Sequence, residues 1–586
     1  MSQRTQGSGG EADATGLEAK SAMIEDALAR LADERIIERI WERDASVWTK
    51  EESGQKIIKN ALGWLKSVEF VSDRLSDLQA FADEVRAADF KRVMVLGMGG
   101  SSLCPEVLRQ TFGKRKDDPE LLVLDSTDPE TIADFTLRAA PVEHTLFVVA
   151  SKSGSTIEPL SFYKYFYEAV RAVKGERAGE NFIAITDPGT LMERTASEMN
   201  FRRTFLNPPD IGGRYSALSL FGMLPAILMG LDAGEMLRRA EDMIAECREP
   251  VTSVGGNPAA RLGCAMGALW KAGLDKLTVV TDRNLASLGL WIEQLVAEST
   301  GKRERGILPV ASETLGAPDV YGDDRLFVSI HTAAPDEDTE RKLEALQEAG
   351  FVVLRRTLRD PLDLGAEFFA WEMATAVAGW FMEINPFDQP NVQESKDRTN
   401  ELLDQYKESK SLYASGSPEP FAREGEMAVF KTEGDKGKGA ATTQTKTSVA
   451  AAISEHLSSA RDGDYVALLA YLQETPAHDE LLREIGDRIR ASYRVATTFG
   501  YGPRYLHSTG QLHKGGANNG IFILVTDEDE TDAAIPGEPY SFSILKQAQS
   551  LGDFASLAAH ERRALRIHLG RETRSGLLNL LDIVKQ

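Results

Sequence analysis

The run Ser151-Lys152-Ser153-Gly154-Ser155-Thr156 puts four hydroxyls, an ammonium and a glycine within six residues. Hydroxyls and backbone amides hold a phosphate without net charge, and a helix starting after such a run adds the positive end of its dipole. Glu158 follows in what would be the first helical turn. A second run, Gly97-Met98-Gly99-Gly100-Ser101-Ser102, has glycines that let the backbone come close to an anion. It nearly fits GxGxxG, with Asp125 standing where a ribose-binding acid would, but Ser102 occupies the third glycine position. The plainer readings are an N-capping cluster for the first run and a tight strand-to-helix turn for the second.

Proton-transfer groups come from three further stretches. In NPPDIGGRYSALS, residues 207–219, Arg214 is placed to stabilise a developing oxyanion, or to serve as a structural ion-pair partner. Residues 285–299 read as a helix with an apolar stripe of Leu288, Ile292, Leu295 and Val296. Gln294 and Glu298, four apart, share another face of it. The negative helix end beside Glu298 disfavours its ionised form, which suits a general base; alone, it would read as a solvated glutamate. In INPFDQPNVQESK, residues 384–396, Asn391 and Glu394 suggest a helix start that would favour the neutral amine of Lys396. YLHSTGQLHKGGANN, residues 505–519, holds His507 and His513 without a third ligand at metal spacing, so no metal site is expected.

Each loop needs a strand before it and a helix after it. Short apolar runs at 93–96, 121–124, 146–150 and 182–186 alternate with helix-length amphipathic stretches such as 159–173. That alternation predicts a parallel sheet covered on both faces. In a flavodoxin-like order, strands one and three flank the switch point, and both loops open into one crevice. A second series at 277–281, 326–330 and 351–354 repeats the pattern. The expected layout is a disordered tail over 1–22, a helical region over 23–90, two doubly wound α/β domains over 91–250 and 251–408, a Gly/Lys/Thr-rich linker over 409–450, and a C-terminal α/β domain over 451–586.

The chain has 586 residues and a formal net charge of -23, which argues against nucleic acid and acidic membranes as partners. An anionic substrate would need a locally positive or amide-rich pocket. Cys104, Cys247 and Cys264 have no ligand spacing and read as thiols in a reducing compartment, favouring the cytoplasm. The polar start MSQRTQGSGGEADATG does not read as a signal peptide, and no apolar stretch has the length of a bilayer span.

Together these segments resemble the glucose-6-phosphate isomerase family, most closely the isomerase part of bifunctional transaldolase/glucose-6-phosphate isomerases, from about residue 30 to the end. The most specific matches are GGRYS at 212–216, ESTGK at 298–302 and NPFDQPNVQESK at 385–396, with GMGGSS and SKSGST matching the two loops. The resemblance implies tandem sugar-isomerase (SIS) domains acting on glucose 6-phosphate and fructose 6-phosphate through a cis-enediol. Ser151, Ser153 and Thr156 would hold the phosphate, with Ser101, Lys152 and Glu158 close by. Glu298 would shuttle the proton between C2 and C1, and Arg214 would stabilise the enediolate. Gly213, Gln294 and Gln389 would contact the sugar, and Lys396 would work with a histidine in opening the ring. None of these steps needs a metal or organic cofactor.

The sequence departs from the family at that histidine. The family places it between the base and the FDQ segment, but here ETLGAPDVYGDDR, 313–325, contains none. LHSTGQ appears instead at 506–511, so the role is assigned to His507, with His513 as second candidate. Family members take this residue from a neighbouring subunit; here it could act in cis, although a homodimer remains compatible with the sequence. Transaldolase activity is not expected, because no residues remain to build its barrel. The competing readings are an isomerase of mannose 6-phosphate or of a 6-sulfonated sugar, a non-catalytic sugar-phosphate sensor, and, less favoured, a dinucleotide enzyme.

Overall fold

Five parallel strands form the first sheet: β1 (Arg92–Leu96), β2 (Glu120–Leu124), β3 (Thr145–Ala150), β4 (Phe182–Thr186) and β5 (Arg203–Leu206), in the order β2-β1-β3-β4-β5. β3 and β4 are buried along their whole length because helices cover both faces, which explains their uninterrupted apolar sequences. The computed structural model describes residues 9–249, 256–413, 418–431 and 447–585.

A second parallel sheet holds β6 (Lys276–Thr281), β7 (Leu308–Val310), β8 (Arg325–His331) and β9 (Val352–Thr357), in the order β7-β6-β8-β9. The helix Leu364–Phe381 is buried all round, which its sequence LGAEFFAWEMATAVAGWF requires. It packs against the helices Ala233–Arg248 and Pro258–Lys271, one before and one after the expected boundary at residue 250, and so joins the two α/β units into one core.

The third sheet contains β10 (Ala422–Glu424), β11 (Met427–Lys431), β12 (Tyr465–Tyr471), β13 (Ala496–Tyr501), β14 (Gly520–Thr526) and β15 (Arg563–His568). Its order is β10-β11-β15-β14-β12-β13. The four strands from β12 to β15 are parallel and repeat the ordering of the second sheet, first strand beside second on one side and third on the other. The flavodoxin-like expectation therefore holds for the first two sheets and extends to the third.

Two boundaries differ from expectation. Residues 1–8 of the expected disordered tail lie outside the described residues, and a helix runs over Gly9–Asp33. Leu17, Ile24, Leu28 and Leu31 recur at helical spacing and pack into the core, which draws the helix back into the Gly-rich start. The expected linker over 409–450 contains the β10–β11 hairpin, and β11 pairs antiparallel with β15. Its apolar run Met427-Ala428-Val429 is buried between β10, the edge strand, and β15, and Gly425, at φ +59°, turns the hairpin. Residues 414–417 and 432–446 of that segment lie outside the described residues.

Candidate active site

The two hydroxyl- and glycine-rich loops leave the C-terminal ends of β1 and β3, which are neighbours at the point where strand order reverses. Ligands of open α/β sheets bind there. In the β3 loop, Ser151 is buried and donates to Thr156 Oγ1 at 3.4 Å, and the Ser153 hydroxyl lies 3.3 Å from the same oxygen. Thr156 is the N-cap residue of the helix Ile157–Lys174, yet its side chain makes no capping bond. Helix capping therefore does not account for the cluster. Lys152 is differently placed from expectation. Its ammonium pairs with Asp187 and donates to the Pro209 carbonyl at 2.8 Å, so it braces the loop.

The β1 loop is pressed against the rest of the site. Gly99 has φ +54°, and a Cβ there would lie 2.7 Å from Gln294 Nε2 and 3.0 Å from His507 Cβ. A Cβ on Gly100 would overlap the Gly213 carbonyl. Only glycine permits this approach. Ser101 is buried at the end of the same loop, and Ser216 ties the loop to GGRYS by donating to the Gly100 carbonyl at 3.0 Å.

Arg214 gathers two distant stretches. Its guanidinium is 2.9 Å from Glu298 Oε1, with both side chains almost fully buried. It also donates to Ser299 Oγ at 2.9 Å, Gln389 Oε1 at 3.1 Å, and the carbonyls of Pro386 and Asp388 at 3.1 and 2.8 Å. Glu298 ends the helix Ala286–Thr300 as expected, but its nearest charged partner is this cation, where the sequence had suggested the helix end alone. A fixed guanidinium held beside a carboxylate is an arrangement that can stabilise developing negative charge next to a base.

Gln294, one turn earlier, donates from Nε2 to the His507 carbonyl at 2.7 Å. Its Oε1 is buried and has no partner among the described residues. His507 Nε2 lies 3.2 Å from Glu158 Oε1, and Gln549 Nε2 donates to that oxygen at 2.8 Å. Burial opposes ionisation of Glu158, but His507 beside it, with further help from Lys396, holds its carboxyl below the usual glutamate range. Lys396 is half-buried in the helix Pro390–Ser409, whose N-cap position is Gln389 with no side-chain capping bond, so the expected cap at Asn391 lies two residues late. Lys396 stands beyond the first turn, where the helix dipole has faded. His513 stands elsewhere, buried against Tyr465 and Phe522 with its ring 3.0 Å from the Tyr465 hydroxyl. Burial drives its pKa well below the ordinary histidine value.

The third domain is clamped to the first around this site. Arg504 grips Asp125 with two bonds of 2.9 and 2.8 Å, so the carboxylate suggested for a ribose is already occupied. Asp128, Glu130 and Asp529 lie close enough together to suggest a cation site, but the Lys546 ammonium pairs with Asp128, Asp527 and Asp529. Burial works against the charge on that lysine, but the carboxylates outweigh it and hold its pKa above the usual lysine range.

Two residues of the site escaped the sequence reading. Lys302 of ESTGK is buried and donates to the Asn385 carbonyl and to Asp388 Oδ1, each at 2.7 Å. Burial, reinforced by Arg214, lowers its pKa to about 8. Gln511 reaches from the third domain to the Gly301 carbonyl at 2.8 Å and to Asn391 Oδ1 at 2.9 Å. Both lie in quoted motifs, ESTGK and LHSTGQ, and that adjacency was the available signal.

A doubly wound α/β chain with paired hydroxyl and glycine loops at its switch point, facing a buried Arg–Glu pair, defines the class of proteins that bind and rearrange small phosphorylated molecules. The family model for phosphoglucose isomerase matches residues 13–324. The chain belongs to the phosphoglucose isomerase family. Lys396 and His507 lie beyond the matched residues. A glucose-6-phosphate isomerase of Carboxydothermus hydrogenoformans is 27% identical over 405 residues, 60% of this chain and 86% of that protein. One from Prochlorococcus marinus is 28% identical over 425 residues, 66% of this chain and 79% of that protein. Among solved structures, a glucose-6-phosphate isomerase from Chlamydia trachomatis superposes with a TM-score of 0.52 at 20% identity, covering 67% of this chain and 86% of that one. A hypothetical protein from Thermus thermophilus gives 0.55 at 24% identity, covering 64% and 96%. These structural likenesses show the fold.

Proposed function

We propose that this chain is a glucose-6-phosphate isomerase that interconverts glucose 6-phosphate and fructose 6-phosphate, with its active site completed within one chain. The observation that carries the reading is the buried Arg214–Glu298 pair at 2.9 Å, joined through Gln294 and His507 to Glu158 at the start of the phosphate-loop helix. A sugar with its phosphate on Ser151, Ser153 and Thr156 then extends toward Glu298. His507 and Lys396 open the ring by moving a proton between the ring oxygen and the anomeric hydroxyl. Glu298 removes the proton from C2 of the open aldose, Arg214 balances the charge on the enediolate, a proton passes from the C2 hydroxyl to O1, and Glu298 returns its proton to C1. Every proton comes from the chain or the sugar.

A sensor would need the hydroxyl loops but not the Arg214–Glu298 pair. An isomerase of another 6-phosphorylated or 6-sulfonated sugar would share the pair and differ in contacts to the ring. Because His507 comes from the same chain, a homodimer is not needed to complete the site. No helix among the described residues is long and apolar enough to cross a membrane. The three cysteines are free and buried, which supports a reducing, cytoplasmic location.

The test is conversion of fructose 6-phosphate, read by a coupled glucose-6-phosphate dehydrogenase, against mannose 6-phosphate and a 6-sulfonated sugar as alternative substrates. Turnover of fructose 6-phosphate supports the reading. Binding without turnover assigns a sensor, and preference for an alternative reassigns the substrate.

A further inference from the structure

The helix Ala286–Thr300 serves two clefts. Its last turns bring Gln294 and Glu298 to the active site, while Ser287, Leu290 and Glu293 line another cleft between the second and third domains, which Leu103 and Gln110 of the first domain also border. The far wall of this cleft comes from Leu469, Thr498, Phe499 and Tyr501. Its floor is shared with the active site: Arg504, Tyr505, Ser508 and Thr509 line it, and His507 lies within that segment.

The cleft measures about 180 Å³. One water takes roughly 10–15 Å³ on this measure, so it admits about a dozen heavy atoms, the size of one monosaccharide. Its charged groups are largely satisfied. Arg504 is held by Asp125 and Glu474, and Asp479 accepts a 2.7 Å bond from the Tyr501 hydroxyl. Arg483, the unpaired cation among the described residues that line the cleft, is exposed at the lip. Inside, Ser287 is 3% exposed and its hydroxyl has no partner among the described residues. Glu293 accepts a long 3.3 Å bond from the Ala311 amide, and the Thr498 side chain also favours its ionised form. Burial outweighs both and pushes its pKa up to about 8. At neutral pH it is therefore a carboxylic acid that donates as well as accepts.

We propose that this cleft is a second binding site, which takes an uncharged, hydroxyl-bearing molecule of monosaccharide size. Its hydroxyls bond to Ser287 and Glu293, and its apolar ring face lies on the aromatic wall of Phe499 and Tyr501. A charged ligand is disfavoured because no buried counter-charge among the described lining residues is free to receive it.

The test uses the intact chain with its active site saturated by the equilibrium mixture of glucose 6-phosphate and fructose 6-phosphate. Myo-inositol and D-glucose are the probes, followed by saturation-transfer NMR and calorimetry. Both probes should bind with the sugar phosphates present. Ser287→Ala should weaken them about tenfold, the effect of one lost hydrogen bond. Ser312→Trp, at the lip, should abolish binding while leaving isomerase activity unchanged, which also shows that the variant is folded. The proposal is overturned if neither probe binds up to its solubility limit, if the sugar phosphates displace both, or if binding ignores both substitutions.

Discussion

His507 Nε2 stands 3.2 Å from Glu158 Oε1, joining the third domain to the first across 349 residues of sequence. Both side chains are largely buried, at 14% and 5% exposure, so each fixes the other in place. The pairing gives the imidazole a defined orientation and gives the carboxylate a reason to stay ionised in a dry setting. In the proposed mechanism this pairing serves ring opening and the Arg214–Glu298 pair serves proton transfer, two parts that can be measured apart.

His507→Ala should lower kcat on cyclic sugar phosphate about 100-fold, the scale of one general acid–base group. Proton exchange on the open-chain form should be largely spared, because Glu298 is untouched. Glu158→Gln should cause a smaller loss with the same bias toward ring opening. A uniform loss on both forms would place His507 in the wrong step. Steady-state assays beside NMR exchange make the distinction.

The Glu158 carboxyl also imposes a pH dependence on stability. Its folded pKa lies below the ordinary 4.5, so it contributes stability fully present above that value and lost as pH falls through the depressed one. Thermal melts of wild type should lose more stability between neutral and acid pH than those of Glu158→Gln.

Lys302 and Arg214 both hold the Asn385–Gln389 turn, and Lys302 titrates near pH 8. Between that value and the usual 10.5 the unfolded chain binds the extra proton, so this group raises stability as pH climbs through the window. Activity should move the opposite way, because the neutral amine releases the Asp388 carboxylate and loosens the turn that carries Gln389. Wild-type kcat should therefore decline above about pH 8. Lys302→Met should be slower by about tenfold at neutral pH, with the decline absent. A pH–rate profile decides the matter.

Much of this was legible because strand–loop–helix modules are local. The SKSGST and GMGGSS loops follow apolar runs whose strand character shows in a few residues, and β1 and β3 adjoin as a doubly wound order requires. What could not be read is long-range pairing. Lys152 looks like a phosphate ligand until Asp187, 35 residues on, is seen to hold it. The β10–β11 hairpin is hidden by its polar surroundings, and its partner β15 lies more than a hundred residues away. Glu298 showed its place at a helix end, but not that Arg214, from another domain, would meet it there.

Lys546 is 4% exposed and pairs with three carboxylates from two domains. Lys546→Met should destabilise the chain by about 3–5 kcal/mol, because it leaves buried carboxylates without a counter-charge. Chemical denaturation measures the loss, and a biphasic curve would show the third domain releasing first.

Because one chain supplies Ser151, Arg214, Glu298, Lys396 and His507, specific activity per chain should stay constant as the protein is diluted. Analytical ultracentrifugation over the same concentrations reports whether a dimer dissociates meanwhile. A fall in activity that tracks dissociation would mean the site needs a second copy.

The central claim, that Glu298 moves a proton between C2 and C1, is tested most directly by running fructose 6-phosphate in D2O and following deuterium by NMR. The account predicts glucose 6-phosphate labelled at C2 and exchange at C1 of the ketose, both reduced about 100- to 10,000-fold in Glu298→Gln. Undiminished exchange in that variant would contradict it and assign the base to another residue.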